Sequence, residues 1–195
     1  MDNRIGQDFF VGKTVEQLAM DLLGCELVHD QNEGITSGII VETEAYHQTD
    51  EASHAYRGKT PRTSVMFEEP GHAYVYFTYG MHWCFNITAE DEGVGAGVLI
   101  RALEPTAGIK IMKKRRGKDL LNLCNGPSKL VQAMGITKSD YGKDLTTSNL
   151  YLKPRRQPFN QEVSVGPRIG ISKAVKTPWR FWISGNKFVS HLPKS

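Results

Sequence analysis

Behind Thr14-Val15-Glu16-Gln17, a capping-box start, Val15, Leu18, Ala19, Leu22 and Leu23 recur at helical spacing, and Gly24 is a fitting stop. The pattern predicts an amphipathic core helix. The period then drops to two. Cys25 to Asp30 reads as a strand, Gln31-Asn32-Glu33-Gly34 as a turn and Ile35 to Tyr46 as the antiparallel partner, with Gly38 a candidate bulge. In that partner Ile39, Val41, Thr43 and Ala45 share a face that reads as core, while Ile40, Glu42, Glu44 and Tyr46 share the other.

Residues 47 to 72 hold few large apolar side chains and read as an ordered loop, of a length that in compact domains is usually functional. Ala73 to Thr78 and Trp83 to Thr88 then form a hairpin about Tyr79-Gly80-Met81-His82. Turns are normally polar, so Tyr79, Met81 and His82 stand out. Such a tip either folds back on the protein or enters a partner, as wedges do between base steps.

A strand follows at Val98 to Glu104. Thr106 is expected to cap a short helix through Ile109 and Met112 to Arg116, and Gly126-Pro127-Ser128 to open another that ends at Gly135, with Lys129 in its first turn. Short strands are expected at Leu150 to Lys153, Val163 to Val165, Ile169 to Ile171, Arg180 to Ser184 and Phe188 to His191. These elements predict an α+β fold: one domain over residues 1–195 with a curved, largely antiparallel β-sheet, peripheral helices and a protruding β-hairpin.

Composition narrows the class of function. With 195 residues, 39% of them hydrophobic, the chain can bury one core, and no apolar run nears the roughly 20 residues that span a bilayer. The N-terminus lacks the order of a signal peptide, so a cytoplasmic protein is expected. Cys25, Cys84 and Cys124 form no CxxC and read as small buried thiols, and the six histidines show no metal-ligand spacing. No metal is expected on this pattern. Net charge is only +3, but residues 1–100 hold 5 Lys+Arg against 16 Asp+Glu, while residues 101–195 hold 19 against 5. Such asymmetry suits a polyanionic partner, or else a solvated surface that pairs with the acidic half.

Two stretches concentrate the chemistry. Glu42, Glu44 and Tyr46 run directly into Asp50-Glu51-Ala52-Ser53-His54, and Arg101 has apolar neighbours on both strand faces. Arg101 is therefore expected to be buried, which requires a carboxylate or several acceptors to meet it. Glu44 or Glu42 is the candidate, and a purely structural ion pair is the alternative.

The run Ile40-Val41-Glu42-Thr43-Glu44-Ala45-Tyr46 followed by Asp50-Glu51-Ala52-Ser53-His54 resembles the active-site segment of the alkyladenine (3-methyladenine) DNA glycosylases. Met66-Phe67, Pro70-Gly71, Tyr74-Val75-Tyr76, Tyr79-Gly80-Met81, Asn86-Ile87, Leu99 to Pro105 and Gly126-Pro127-Ser128-Lys129-Leu130 agree in the family's order. The resemblance implies a monofunctional enzyme, acting as a monomer on duplex DNA, that flips a damaged purine out and hydrolyses its N-glycosidic bond without cofactor. It implies Glu44 as the base that activates water, with Arg101 and the Ile169 carbonyl helping to hold that water. By the same likeness Tyr46, His54 and Tyr76 line the base pocket, Asn86 obstructs a guanine amino group, and Tyr79 fills the gap left by the flipped nucleotide. Met81, His82 and Lys129 join it as DNA contacts.

The chain departs from the vertebrate branch in a Tyr46 to His54 loop one residue shorter, and at His82 and Phe85. Two other classes of function fit parts of the pattern. A carbohydrate or free-nucleoside hydrolase could use Glu42 and Glu44, whose strand separation of roughly 6.6 Å lies between carboxylate spacings of about 5 and 9 Å. A DNA-binding module without chemistry would explain the basic half but not a buried Glu and Arg.

Overall fold

The computed structural model describes residues 3–78 and 82–190. Tyr79 and Met81, expected at the hairpin tip, lie outside the described residues, as does His191. Among the described residues eight strands form one sheet: β1 (Glu26–Gln31), β2 (Gly34–His47), β3 (Ala73–Thr78), β4 (His82–Thr88), β5 (Ala96–Ala107), β6 (Leu150–Lys153), β7 (Val163–Gly166) and β8 (Arg180–Ile183). Three α-helices accompany it among the described residues, α1 (Val15–Asp21), α2 (Ile109–Arg116) and α3 (Pro127–Met134). All the described pairings are antiparallel, in the order β3-β4-β5-β2-β1-β6, with β8 on β2 and β7 on β8. This is the expected α+β architecture, a curled antiparallel sheet with helices packed on it.

The long strand β2 is the hub. One edge pairs with β5 along Ser37 to His47, while the other is shared between β1, up to Ile39, and β8, from Glu42 to Glu44. The handover falls at Ile40-Val41, and the β2–β5 register shifts there, between Ile40 and Glu42 and again between Glu42 and Thr43. Strict alternation fails at this bulge: Ile40 is buried in the core alongside Val41, and Ile39 is only half-buried. From Val41 onward the expected faces hold. Thr43 turns towards α1 and donates its hydroxyl to the Ala19 carbonyl at 2.9 Å, while Glu42 and Glu44 both reach Arg101. The expected bulge at Gly38 coincides with a further register shift, where an added Cβ would lie 3.0 Å from the Glu104 carbonyl and from Leu103.

The capping box on α1 is present, with Thr14 accepting from the Gln17 amide and Gln17 returning the bond. Other expectations need correction. Thr106 caps no helix, because it continues β5 and donates its hydroxyl to Glu26 at 2.6 Å; α2 begins after Gly108, which takes a left-handed conformation. Ile169 to Ile171 and Phe188 to Ser190 are not strands. Their amides explain why: the Ile169 N–H is committed to Glu44 and the Ser190 N–H to Glu42 instead of to a ladder. Within residues 47–72, short 3-10 turns at His54–Arg57 and Ser64–Phe67 bury Ala55, Val65, Met66 and Phe67 with Tyr74 in a satellite cluster. The loop is thus packed from inside.

Gly108 gives a test of how tightly α2 is seated. Its φ is +68°, and an added Cβ would meet the Ile35 carbonyl at 2.3 Å, whereas Gly117 at the other end of α2 has a φ of +63° and open space around it. Gly117→Ala should cost about 1 kcal/mol, the left-handed penalty alone. Gly108→Ala should cost about 3 kcal/mol or more, since the Ile35 carbonyl must also move. Urea unfolding of the two variants measures the difference, and equal costs would contradict the close approach.

Candidate active site

Glu42 and Glu44 are fully buried on β2, and Arg101 reaches them from the neighbouring strand β5. Its Nε donates to Glu42 at 3.2 Å and its Nη1 to Glu44 at 3.2 Å, so one guanidinium bridges both carboxylates. Burial acts to lower the Arg101 pKa, and the two carboxylates more than offset it, leaving the pKa raised. The site therefore contains a permanent cation.

Glu44 accepts two further hydrogen bonds. The Ile169 N–H approaches Oε1 at 2.7 Å, and the Tyr46 hydroxyl approaches Oε2, which also receives Arg101, at 2.8 Å. Burial first, and the negative charge of Glu44 second, push the Tyr46 phenol well above its ordinary value. It stays protonated and can only donate to Glu44. Arg168 supports the same ring from another side, with its guanidinium 4.6 Å from the Tyr46 centroid, and Nη1 bonded to the Ala45 carbonyl at 2.8 Å and to Asp50.

Beside this cluster opens a cavity of about 480 Å³ lined by Tyr46, His54, Tyr76, Asn86, Arg101 and Ile169, among others. Its aromatic wall is ordered by mutual contacts. Tyr74 and Tyr76 stack with centroids 5.2 Å apart and an interplanar angle of 26°, and His54 meets Tyr76 edge-on at 4.6 Å. His54 Nδ1 lies 3.0 Å from the Tyr74 hydroxyl. Burial first, and the Arg62 cation second, lower the His54 pKa from 6.5 to about 4. The imidazole facing the cavity is neutral at neutral pH. Asn86, buried, donates its amide to the Tyr74 carbonyl at 3.4 Å.

The structure thus brings Glu44, Arg101, Ile169, Tyr46, His54, Tyr76 and Asn86 to one place. His82, exposed at the start of β4, lines the rim of the cavity, as do Pro127 and Ser128 at the start of α3. Lys129, one residue further, is not among the lining residues and bonds Asn125 at 2.9 Å. Sequence reasoning missed Arg180, Arg168, Tyr74 and Ser190. Arg180 carries the same signal as Arg101, a single cation in the apolar run Trp179 to Ile183, and could have been found by it. Arg168 lies in an irregular segment that no periodicity marks, and Ser190 in one that reads as a strand but whose N–H goes to Glu42. Among the described residues no group of three or more His, Cys, Asp or Glu is placed to hold a metal ion, and no helix is long and apolar enough to cross a membrane.

The neutral imidazole gives a pH signature. Between 6.5 and about 4 the unfolded chain binds more protons at His54 than the folded one, so its contribution to stability is present above 6.5 and lost as pH falls towards 4. NMR titration of His54 should give a midpoint near 4, and Arg62→Gln should raise it only part of the way to 6.5, because burial remains. A parental midpoint near 6.5 would show an open, hydrated imidazole instead.

Comparison with known proteins converges on one family. Residues 9–187 match the family model described as methylpurine-DNA glycosylase (MPG). A Rhodopseudomonas palustris protein provisionally named 3-methyladenine DNA glycosylase is 49% identical over 183 residues, covering 93% of this chain and 86% of its own. A Carboxydothermus hydrogenoformans protein of the same provisional name is 49% identical over 183 residues, covering 93% of this chain and 96% of its own. One from Rubrobacter xylanophilus is 48% identical over 169 residues, covering 86% and 88%.

Proposed function

The chain belongs to the methylpurine-DNA glycosylase family, hydrolases of N-glycosyl bonds in DNA, and on that premise we propose that it flips alkylated or deaminated purines from duplex DNA into the cavity beside Glu44. The observation that carries this reading is the fully buried Glu44, held by three donors, Tyr46, Arg101 and the Ile169 N–H, whose residues all line an aromatic-walled cavity of about 480 Å³. Glu44 takes a proton from a water as the water oxygen bonds to C1′ of the deoxyribose. The N-glycosidic bond breaks, its electron pair leaves with the base, and an abasic site remains.

Each neighbour has a physical role in that step. Arg101 and the Ile169 main chain flank the carboxylate, and the Ile169 carbonyl belongs to the residue whose N–H already fixes Glu44 Oε1, which favours its helping to hold the water. Tyr46 and Tyr76 offer π-faces to a flipped base, and a cationic alkylated purine gains further from them. The neutral His54 adds no repulsion to such a cation. Asn86 on β4 occupies space that a guanine amino group would need. His82 and Lys129, with Tyr79 and Met81, contact the DNA around the lesion. One chain supplies every group named, so the reading needs only a monomer, acting without metal or cofactor. The hydrolase built on a Glu42/Glu44 acid-base pair finds no support, because Glu42 is closed in by Arg101, Arg180 and both the hydroxyl and the N–H of Ser190, whereas all three donors to Glu44 line the cavity.

Glu44→Gln should lower single-turnover excision from an alkylated duplex by about 100-fold or more, because it removes the proton acceptor while keeping shape. DNA affinity should stay within about twofold. Alkali-induced breakage at abasic sites reads the first quantity and fluorescence anisotropy the second; near-parental excision would overturn the mechanism. Affinity for undamaged duplex should fall linearly with log salt concentration, and Lys129→Gln should reduce the slope by about 1. A salt-independent affinity would remove phosphate contact from the reading.

A further inference from the structure

Glu42 is a second fully buried carboxylate for which the proposed reaction has no use. Its surroundings are nevertheless more elaborate than those of Glu44. Oε1 accepts from Arg101 Nε at 3.2 Å, from Arg180 Nε at 2.7 Å and from the Ser190 hydroxyl at 2.9 Å, and Oε2 accepts from the Ser190 N–H at 2.7 Å. Arg101 thereby has its three nitrogens committed in different directions: Nε to Glu42, Nη1 to Glu44 and Nη2 towards the Ser190 hydroxyl at 3.5 Å. Only one nitrogen of the fork reaches Glu44.

An ionised carboxylate has about four acceptor positions. Glu44 uses three of them, on Ile169, Tyr46 and Arg101, which leaves one for the water it must activate. A guanidinium free of other ties prefers to meet a carboxylate with two parallel N–H groups. Here that geometry would fill the last position. We infer that Glu42 is a positioning residue: with Ser190 it holds the far edge of Arg101, so that Arg101 offers Glu44 a single hydrogen bond and leaves an acceptor site open for water.

This inference rests on Glu44 being the base, and the test separates the two. Provided that Glu44→Gln abolishes excision, Glu42→Gln should reduce the single-turnover rate by about 10- to 100-fold, the scale of a misplaced reacting group. Affinity for lesion duplex should change by less than about twofold, since Glu42 touches no substrate. Lysine has no fork to close, so in an Arg101→Lys background the same Glu42→Gln change should cost less than about threefold. Ser190→Ala removes one of the ties without removing a buried charge, and should lower the rate by about threefold with unchanged affinity; it takes over as the deciding variant if Glu42→Gln does not fold. An undiminished Glu42→Gln effect in the Arg101→Lys background overturns the inference, as does a rate loss matched by an equal affinity loss or a parental rate in Glu42→Gln. Near-parental excision by Glu44→Gln would instead sink the proposed mechanism.

Discussion

The bridge from Arg101 to Glu42 and Glu44 is the interaction on which the rest of the structure depends. Two carboxylates with no exposure and a guanidinium nearly as buried are tolerable only together, and with Arg180 the named groups carry two charges of each sign. Removing one partner from such an arrangement typically costs about 3–5 kcal/mol, because the charge left behind remains in a low-dielectric interior. The bridge therefore constrains strand register as strongly as it constrains chemistry. β2, β5 and β8 must meet at the level of Glu42 to Glu44, and a slip of one residue would turn these carboxylates to the opposite face.

From that constraint the cavity follows. Placing Glu44 on β2 puts Tyr46 two residues along the same face, and its hydroxyl closes on the carboxylate. Arg168 and Ile169, adjacent in sequence, then tie one irregular segment to both members of the pair, Arg168 under the Tyr46 ring and Ile169 on Glu44. On the far side, the stacked pair Tyr74 and Tyr76 with His54 forms a wall stiffened by the satellite cluster in the 47–72 loop. The faces offered to a base are the rings of Tyr46 and Tyr76 with the neutral His54 and Asn86, while the two carboxylates of the bridge lie beneath and Arg101 reaches the lining. This division suits a site that must admit a large flat ring yet keep one carboxylate reactive.

Much of this was legible from residue order because local rules and the fold agree. The α1 capping box, the hairpin strands, the start of α3 at Pro127 and the burial of Arg101 each follow from a few adjacent residues. Where local rules misled, a long-range contact had redirected the backbone. Thr106 looks like a cap but extends a strand towards Glu26, and the apolar residues of Ile169 to Ile171 suggest a ladder although the Ile169 N–H serves a carboxylate. The handover at Ile40-Val41 escaped because alternation is blind to which neighbour a strand edge has. The site residues came chiefly through likeness to a family, whereas Arg168 and Ser190 emerge only from the fold, since each matters only for what it meets across the chain.

The closure of Glu42 by Arg180 and Ser190 joins groups 138 and 148 residues apart. On a ribosome the acidic strand β2 emerges early, β5 brings Arg101 to both carboxylates, and Glu42 lacks its other side-chain cation until β8 follows. Assembly of the Glu42 surroundings thus waits for β8 and Ser190. A partial translation product or a chain clipped before β8 would keep the basic stretches at residues 113–116 and 153–156 but lack two of the groups that enclose Glu42, so it would be an inert and protease-sensitive fragment.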